Sequence, residues 1–89
     1  MAELAFLTNH AHVLLCVSRD AHMRLRDIAQ CVGITERAAH RIVCELEHSG
    51  YLTRRREGRC NVYEVHPQQS LPHPLERGAK VEDLLTAVT

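Results

Sequence analysis

The sequence has no tryptophan, and its aromatic content is 3%, limited to Phe6, Tyr51 and Tyr63. A core cannot be assembled from large rings here, so Leu, Ile, Val and Ala must fill it, a composition that suits closely packed helices. Net charge is absent too. Eleven Lys and Arg balance eleven Asp and Glu, which excludes a globally basic nucleic-acid coat or a cationic membrane-surface peptide but leaves room for a local basic patch. The longest apolar run is Val13-Leu14-Leu15-Cys16-Val17, far short of the ~20 residues of a membrane span, so no membrane partner is expected. Met1-Ala2-Glu3 lacks the positive start and apolar stretch of a secretory signal, and the chain reads as cytoplasmic. There is no C-x-x-C pair. Cys16, Cys31, Cys44 and Cys60 stand singly, and in that compartment they read as small packing thiols instead of two disulfides. Ser-His-Asp spacing, a phosphate-binding glycine loop and a zinc-protease helix are all missing, so neither an enzyme nor a cofactor is expected.

What is present is 89 residues, 45% apolar and 25% charged, the balance of one small folded domain. A chain this short gains stability from a partner subunit more often than a large one does. Thr8 or Asn9 can cap a first helix running to about Arg19. Phe6, His10, Val13, Leu14 and Val17 form one apolar stripe at helical spacing, with Leu4, Leu7, Ala11 and Leu15 roughly opposite. A second helix spans Leu25 to Val32, burying Leu25, Ile28, Ala29 and Val32 at i, i+3, i+4 and i+7. Gly33 ends it, Ile34 plugs the corner, and Thr35 caps a third helix from Glu36 to Ser49 whose core face is Ala39, Ile42, Val43 and Leu46. Gly50 ends that helix in turn.

From Tyr51 the period changes. Residues 51–56 and 59–65 read as two strands around a Glu57-Gly58 loop, with Arg56 opposite Arg59 and Leu52 opposite Tyr63. Leu52, Tyr63 and Val65 then share the core side. Residues 67–79 are a polar, proline-marked linker, with His66 and His73 as loop residues. Residues 80–89 form an amphipathic helix with Val81, Leu84, Leu85 and Val88 on one face. The expected fold is therefore mainly α with a small β-hairpin. Residues 1–66 form a winged helix-turn-helix, a three-helix core plus a two-stranded wing, with a C-terminal helix beyond it.

The stretches Arg26-Asp27-Ile28-Ala29-Gln30-Cys31-Val32-Gly33-Ile34-Thr35, Ala39-His40-Arg41-Ile42-Val43 and Leu46-Glu47-His48-Ser49-Gly50-Tyr51-Leu52 resemble the MarR-like winged-helix transcriptional regulators. The resemblance covers about residues 25–65. It implies a DNA-binding regulator, although the long flanking helices that such proteins use for dimerisation and effector binding are short here.

The residues themselves support double-stranded DNA as the partner. With the core face inward, Thr35, Arg37, Ala38, His40 and Arg41 lie on the part of the third helix that enters a major groove. Arg37 and Arg41 each present a planar donor fork suited to guanine or phosphate. Arg54, Arg55, Arg56 and Arg59 against Glu57 concentrate positive charge on the wing, where phosphates or a minor groove would meet it. Arg24 and Arg26 open the second helix and add phosphate contacts. Charged edges also block aggregation, a reason for charge of either sign but not for four arginines and one acid. Leu4, Leu7, Ala11 and Leu15 on the first helix, and Val81, Leu84, Leu85 and Val88 on the last, are the expected homodimer contacts.

Two regulatory variants fit the same fold. His40, Cys44 and His48 line one ridge, as a metal-sensing ArsR-like repressor would use, but they span about 12 Å, too far for one zinc with bonds of ~2 Å. No metal is therefore expected. Cys44, beside His40, is instead a candidate redox thiol near the groove, while Cys16 and Cys31 read as packing residues. A winged helix used for protein–protein contact is the remaining alternative. It would call for an apolar recognition face, and this one is Arg, His and Arg.

Overall fold

The computed structural model describes residues 6–88; Leu4 of the expected second stripe lies outside them. α1 (Asn9–Arg19) starts at Thr8, whose hydroxyl accepts the Ala11 N–H at 3.3 Å. α2 (Leu25–Val32) ends at Gly33, which takes the left-handed conformation with φ of 87°. A side chain there would be strained. The Ala29 carbonyl accepts both the Gly33 and Ile34 N–H groups, at 2.8 and 2.9 Å, and the chain turns sharply into α3 (Glu36–His48). Thr35 caps that helix through a 3.0 Å bond from the Ala38 N–H.

β1 (Leu52–Glu57) and β2 (Cys60–Val65) pair antiparallel. Gly58 and Arg59 make the turn, not Glu57 and Gly58 as expected, so Leu52 faces Val65, Arg54 faces Tyr63 and Arg56 faces Asn61. The cause is local: a Glu57-Gly58 turn of the I′ type needs positive φ at Glu57, whereas the observed turn puts positive φ only at Gly58, at 60°. Moving the turn by one residue shifts partners by two positions and leaves every side chain on its face. Leu52, Tyr63 and Val65 accordingly still face the core. The free edge of β2 is also engaged, because the Tyr63 N–H donates to the Ala21 carbonyl at 2.9 Å in the α1–α2 corner.

The core joins Val13, Leu14 and Val17 of α1 to Ile28 and Ala29 of α2, to Ala39, Ile42, Val43 and Leu46 of α3, and to Leu52 and Tyr63 of the hairpin. This is a mainly helical winged helix-turn-helix layout, as the sequence predicts. Phe6 departs from its predicted stripe and is 92% exposed. Leu15, expected on the outer stripe, is buried. Burial of residues 13–17 all round α1 means that the chain covers much of that outer stripe itself.

The C-terminal part departs furthest from expectation. Residues 67–80 form a loop closed on itself and not an open linker. Leu71 N–H donates to Ala79 O at 3.0 Å, Val81 N–H to Gln69 O at 2.9 Å and Glu82 N–H to Pro67 O at 2.9 Å, with a short 3-10 turn over Pro74–Glu76. α4 (Val81–Val88) then inserts Val81 into the common core, fully buried, with Leu85 packed beside it. Val81 is thus a core residue of its own chain and not a surface contact for a second one. Helical spacing identifies the apolar face of α4 but not which surface covers it. Among the described residues no helix is long and apolar enough to cross a membrane.

Candidate nucleic-acid interface

α3 buries Ala39, Ile42, Val43 and Leu46 and leaves Arg37, His40 and Arg41 exposed, with Ala38 half-buried between them. Thr35 is exposed, but its hydroxyl is engaged as the helix cap. Arg37 makes no ion pair among the described residues. Arg41 leans along the helix to the Glu45 carboxylate at 3.4 Å, a weak exposed pair that a stronger anion would displace. Glu45 also accepts from His10 Nε2 at 2.7 Å. That hydrogen bond holds the Glu45 carboxyl below the usual range; its slight desolvation opposes the effect and Arg41 reinforces it. His10, which its spacing puts on the apolar stripe of α1, therefore sits hydrogen-bonded at a half-exposed surface position and not inside the core.

The wing arginines divide into two kinds. Arg54 lies on the inner face opposite Tyr63, half-buried, and donates to Glu47 Oε1 of α3 at 3.1 Å, with the Cys44 sulfur 4.0 Å away. Burial is the largest influence and disfavours its charge, but Glu47, the Cys44 thiol and Tyr63 together outweigh it and raise its pKa. Arg54 is thus a brace between β1 and α3. It does not belong with the solvent-facing phosphate ligands among which the sequence groups it. Its partner Glu47 carries no motif that would announce it. Arg55 is exposed and 3.4 Å from Glu57 on the same strand face. Arg56 donates from Nε to the Gly58 carbonyl at 3.3 Å, leaving the rest of its guanidinium in solvent. Arg59 is exposed in the turn itself. At the start of α2, Arg24 and Arg26 are exposed, and Asp27 accepts the Arg24 backbone N–H at 3.4 Å.

His40 Nε2 sits 3.7 Å from Cys44 Sγ, so the ridge Arg37, His40, Cys44 leads directly to Arg54 and the wing. His48 does not join them, and among the described residues no three His, Cys, Asp or Glu side chains are placed to hold a metal ion. His66 is more than a loop residue. Its Nδ1–H donates to the Gly50 carbonyl at 2.9 Å and its Nε2 meets the Thr53 hydroxyl, closing the base of the hairpin. His73 caps the 3-10 turn, accepting the Leu75 N–H at 3.0 Å.

Of the expected dimer residues, Leu7, Ala11 and Leu84 are half-buried and wall an apolar groove of about 690 Å³ between α1, the end of α3 and the C-terminal loop, with exposed Phe6 at its rim. Leu15 and Val81 are withdrawn from the surface, Leu85 packs on the core and Val88 is partly exposed. Compared with known proteins, the chain matches no family model and no curated relative. Its class therefore rests on its own geometry: a winged helix-turn-helix in which an arginine-bearing helix and an arginine-bearing hairpin are tied together by one ion pair.

Proposed function

We propose that this chain is a sequence-specific double-stranded DNA-binding transcriptional regulator of the MarR-like type. α3 occupies the major groove, and Arg56 and Arg59 of the wing lie on phosphate or in the minor groove. Arg37, His40 and Arg41 read base edges, Arg24, Arg26 and Arg55 hold phosphate, and Arg54 sets the spacing between helix and wing. One observation carries the reading. In a chain of zero net charge, the exposed side of α3 and the wing tip both present arginine, while the arginine between them is neutralised by Glu47. A protein-docking winged helix would expose apolar side chains on α3, and those of Ala39, Ile42, Val43 and Leu46 all point inward.

Selection of duplexes from a randomised pool, followed by fluorescence anisotropy, tests it. The chain is expected to enrich one motif. Arg37→Ala or Arg41→Ala should weaken binding to that motif roughly 10- to 100-fold, with little effect on random duplex. No enrichment, or unchanged affinity in both variants, would remove the groove assignment.

The regulator acts as a homodimer through the groove walled by Leu7, Ala11 and Leu84. Its support is the exposed Phe6 beside an apolar concavity that the described residues leave open. Two copies would also double the phosphate contacts available to a neutral protein.

A further inference from the structure

Cys16 and Cys31 lie 15 residues apart with no shared motif, yet the packing of α1 on α2 sets their sulfurs 3.0 Å from each other, the Cys16 S–H donating to Cys31. The two differ in access. Cys16 is buried, whereas Cys31 is exposed. They open on a groove of about 450 Å³ that is also bounded by Arg19, Asp20, Met23 and Val88, wide enough to admit a small oxidant. We infer that Cys16 and Cys31 are a redox-active pair, converted by a hydroperoxide into a reversible disulfide that staples α1 to α2.

The exposed sulfur reacts first, because it is the one an oxidant reaches. The Cys31 thiolate attacks the peroxide; its S–O bond forms as the O–O bond breaks, and the departing alkoxide, or hydroxide for hydrogen peroxide, takes up a proton. The Cys16 sulfur then attacks the Cys31 sulfenic acid. The S–S bond forms as the S–O bond breaks, and the Cys16 proton leaves with the hydroxide as water. In sum, two thiols lose two electrons and two protons, and the hydroperoxide is reduced to water and an alcohol or a second water. Burial, and then the contact with Cys31, push the Cys16 thiol up to about 12, so it stays protonated and waits as the resolving partner. The sulfurs need to close by only about 1 Å to bond. Cys44 has no second thiol beside it among the described residues; its sulfur meets His40 and Arg54.

The test uses the full reduced chain treated with hydrogen peroxide and mapped by mass spectrometry after proteolysis without reductant. The expected product is a single intrachain Cys16–Cys31 link, reversed by dithiothreitol and retained in a Cys44→Ser/Cys60→Ser double variant. Closing this loop should raise the melting temperature of that double variant by roughly 10–20 °C. Cys31→Ser, an exposed replacement, should lose both the link and the rise. Two results would overturn the inference: Cys16 remaining alkylatable after denaturation while Cys31, Cys44 or Cys60 gains oxygen or links separate chains, or an unchanged melting temperature in an oxidised double variant. The outcome is independent of whether the protein binds DNA.

Discussion

Tyr63 carries a buried hydroxyl with no hydrogen-bond partner among the described residues, although its ring fills the core under the hairpin. Leaving such a group unpaired costs about 1–3 kcal/mol, and the ring alone supplies the packing. Tyr63→Phe is therefore expected to match or exceed the parent in thermal stability, measured by calorimetry. A loss above about 1 kcal/mol would mean that the hydroxyl is engaged. Glu45 makes a second prediction at this scale. Its folded pKa lies below the ordinary 4.5, so its contribution is present above that value and disappears as pH falls through the lower, folded one. The difference in melting temperature between the parent and Glu45→Gln should shrink towards zero on acidification below pH 4.5; a constant difference would show that the carboxylate charge is irrelevant. Both side chains mark the limit of reading from sequence. Gly33 and Thr35 are legible because a left-handed turn and a helix cap are requirements of neighbouring residues. Tyr63 and the His10–Glu45 pair depend on what arrives from elsewhere in the chain, 35 positions away for the latter.

Among the elements, α2 and α3 follow the sequence closely because their apolar residues recur at helical period and their ends carry a glycine or a hydroxyl cap. The hairpin is legible as a hairpin, but its turn sits one residue later than expected, since either pair containing Gly58 could turn. The displacement matters to the site. Arg54 and Arg56 both alternate toward the core side, and only the true register puts Arg54 against Tyr63, within reach of Glu47. The wing arginines should thus separate by experiment. Replacing Arg56 and Arg59 by Ala should reduce the slope of log affinity against log salt by about 2, some 0.9 for each phosphate no longer neutralised, with an unchanged melting temperature. Arg54→Ala should instead lower the melting temperature, because it leaves Glu47 without its partner. Equal effects of both changes on the salt slope would dismiss the distinction.

For the molecule as a whole, the C-terminal loop and α4 complete the core that α1, α2, α3 and the hairpin leave open, with Val81 as the final side chain inside it. Sequence spacing identifies α4 as amphipathic, but an amphipathic face is equally suited to its own chain or to another, and here Val81 and Leu85 turn inward. What remains for a second copy is the groove at Leu7, Ala11 and Leu84. Sedimentation at rising protein concentration is expected to show a dimer, and Leu84→Glu, a half-buried position, to return it to single chains. A parent protein that sediments as one chain throughout would end that proposal.

Beyond the His66 closure at its base, the hairpin is fastened at Arg54 to α3 and at the Tyr63 amide to the corner after α1. With both anchors in place, neither strand can swing at that level without breaking a bond, and residues 55–62 extend beyond the clamp. Those two bonds define the gap between helix and finger. On the proposed DNA-binding reading, a duplex seated there must already have that width or be bent to it, so that shape would be sorted before base sequence.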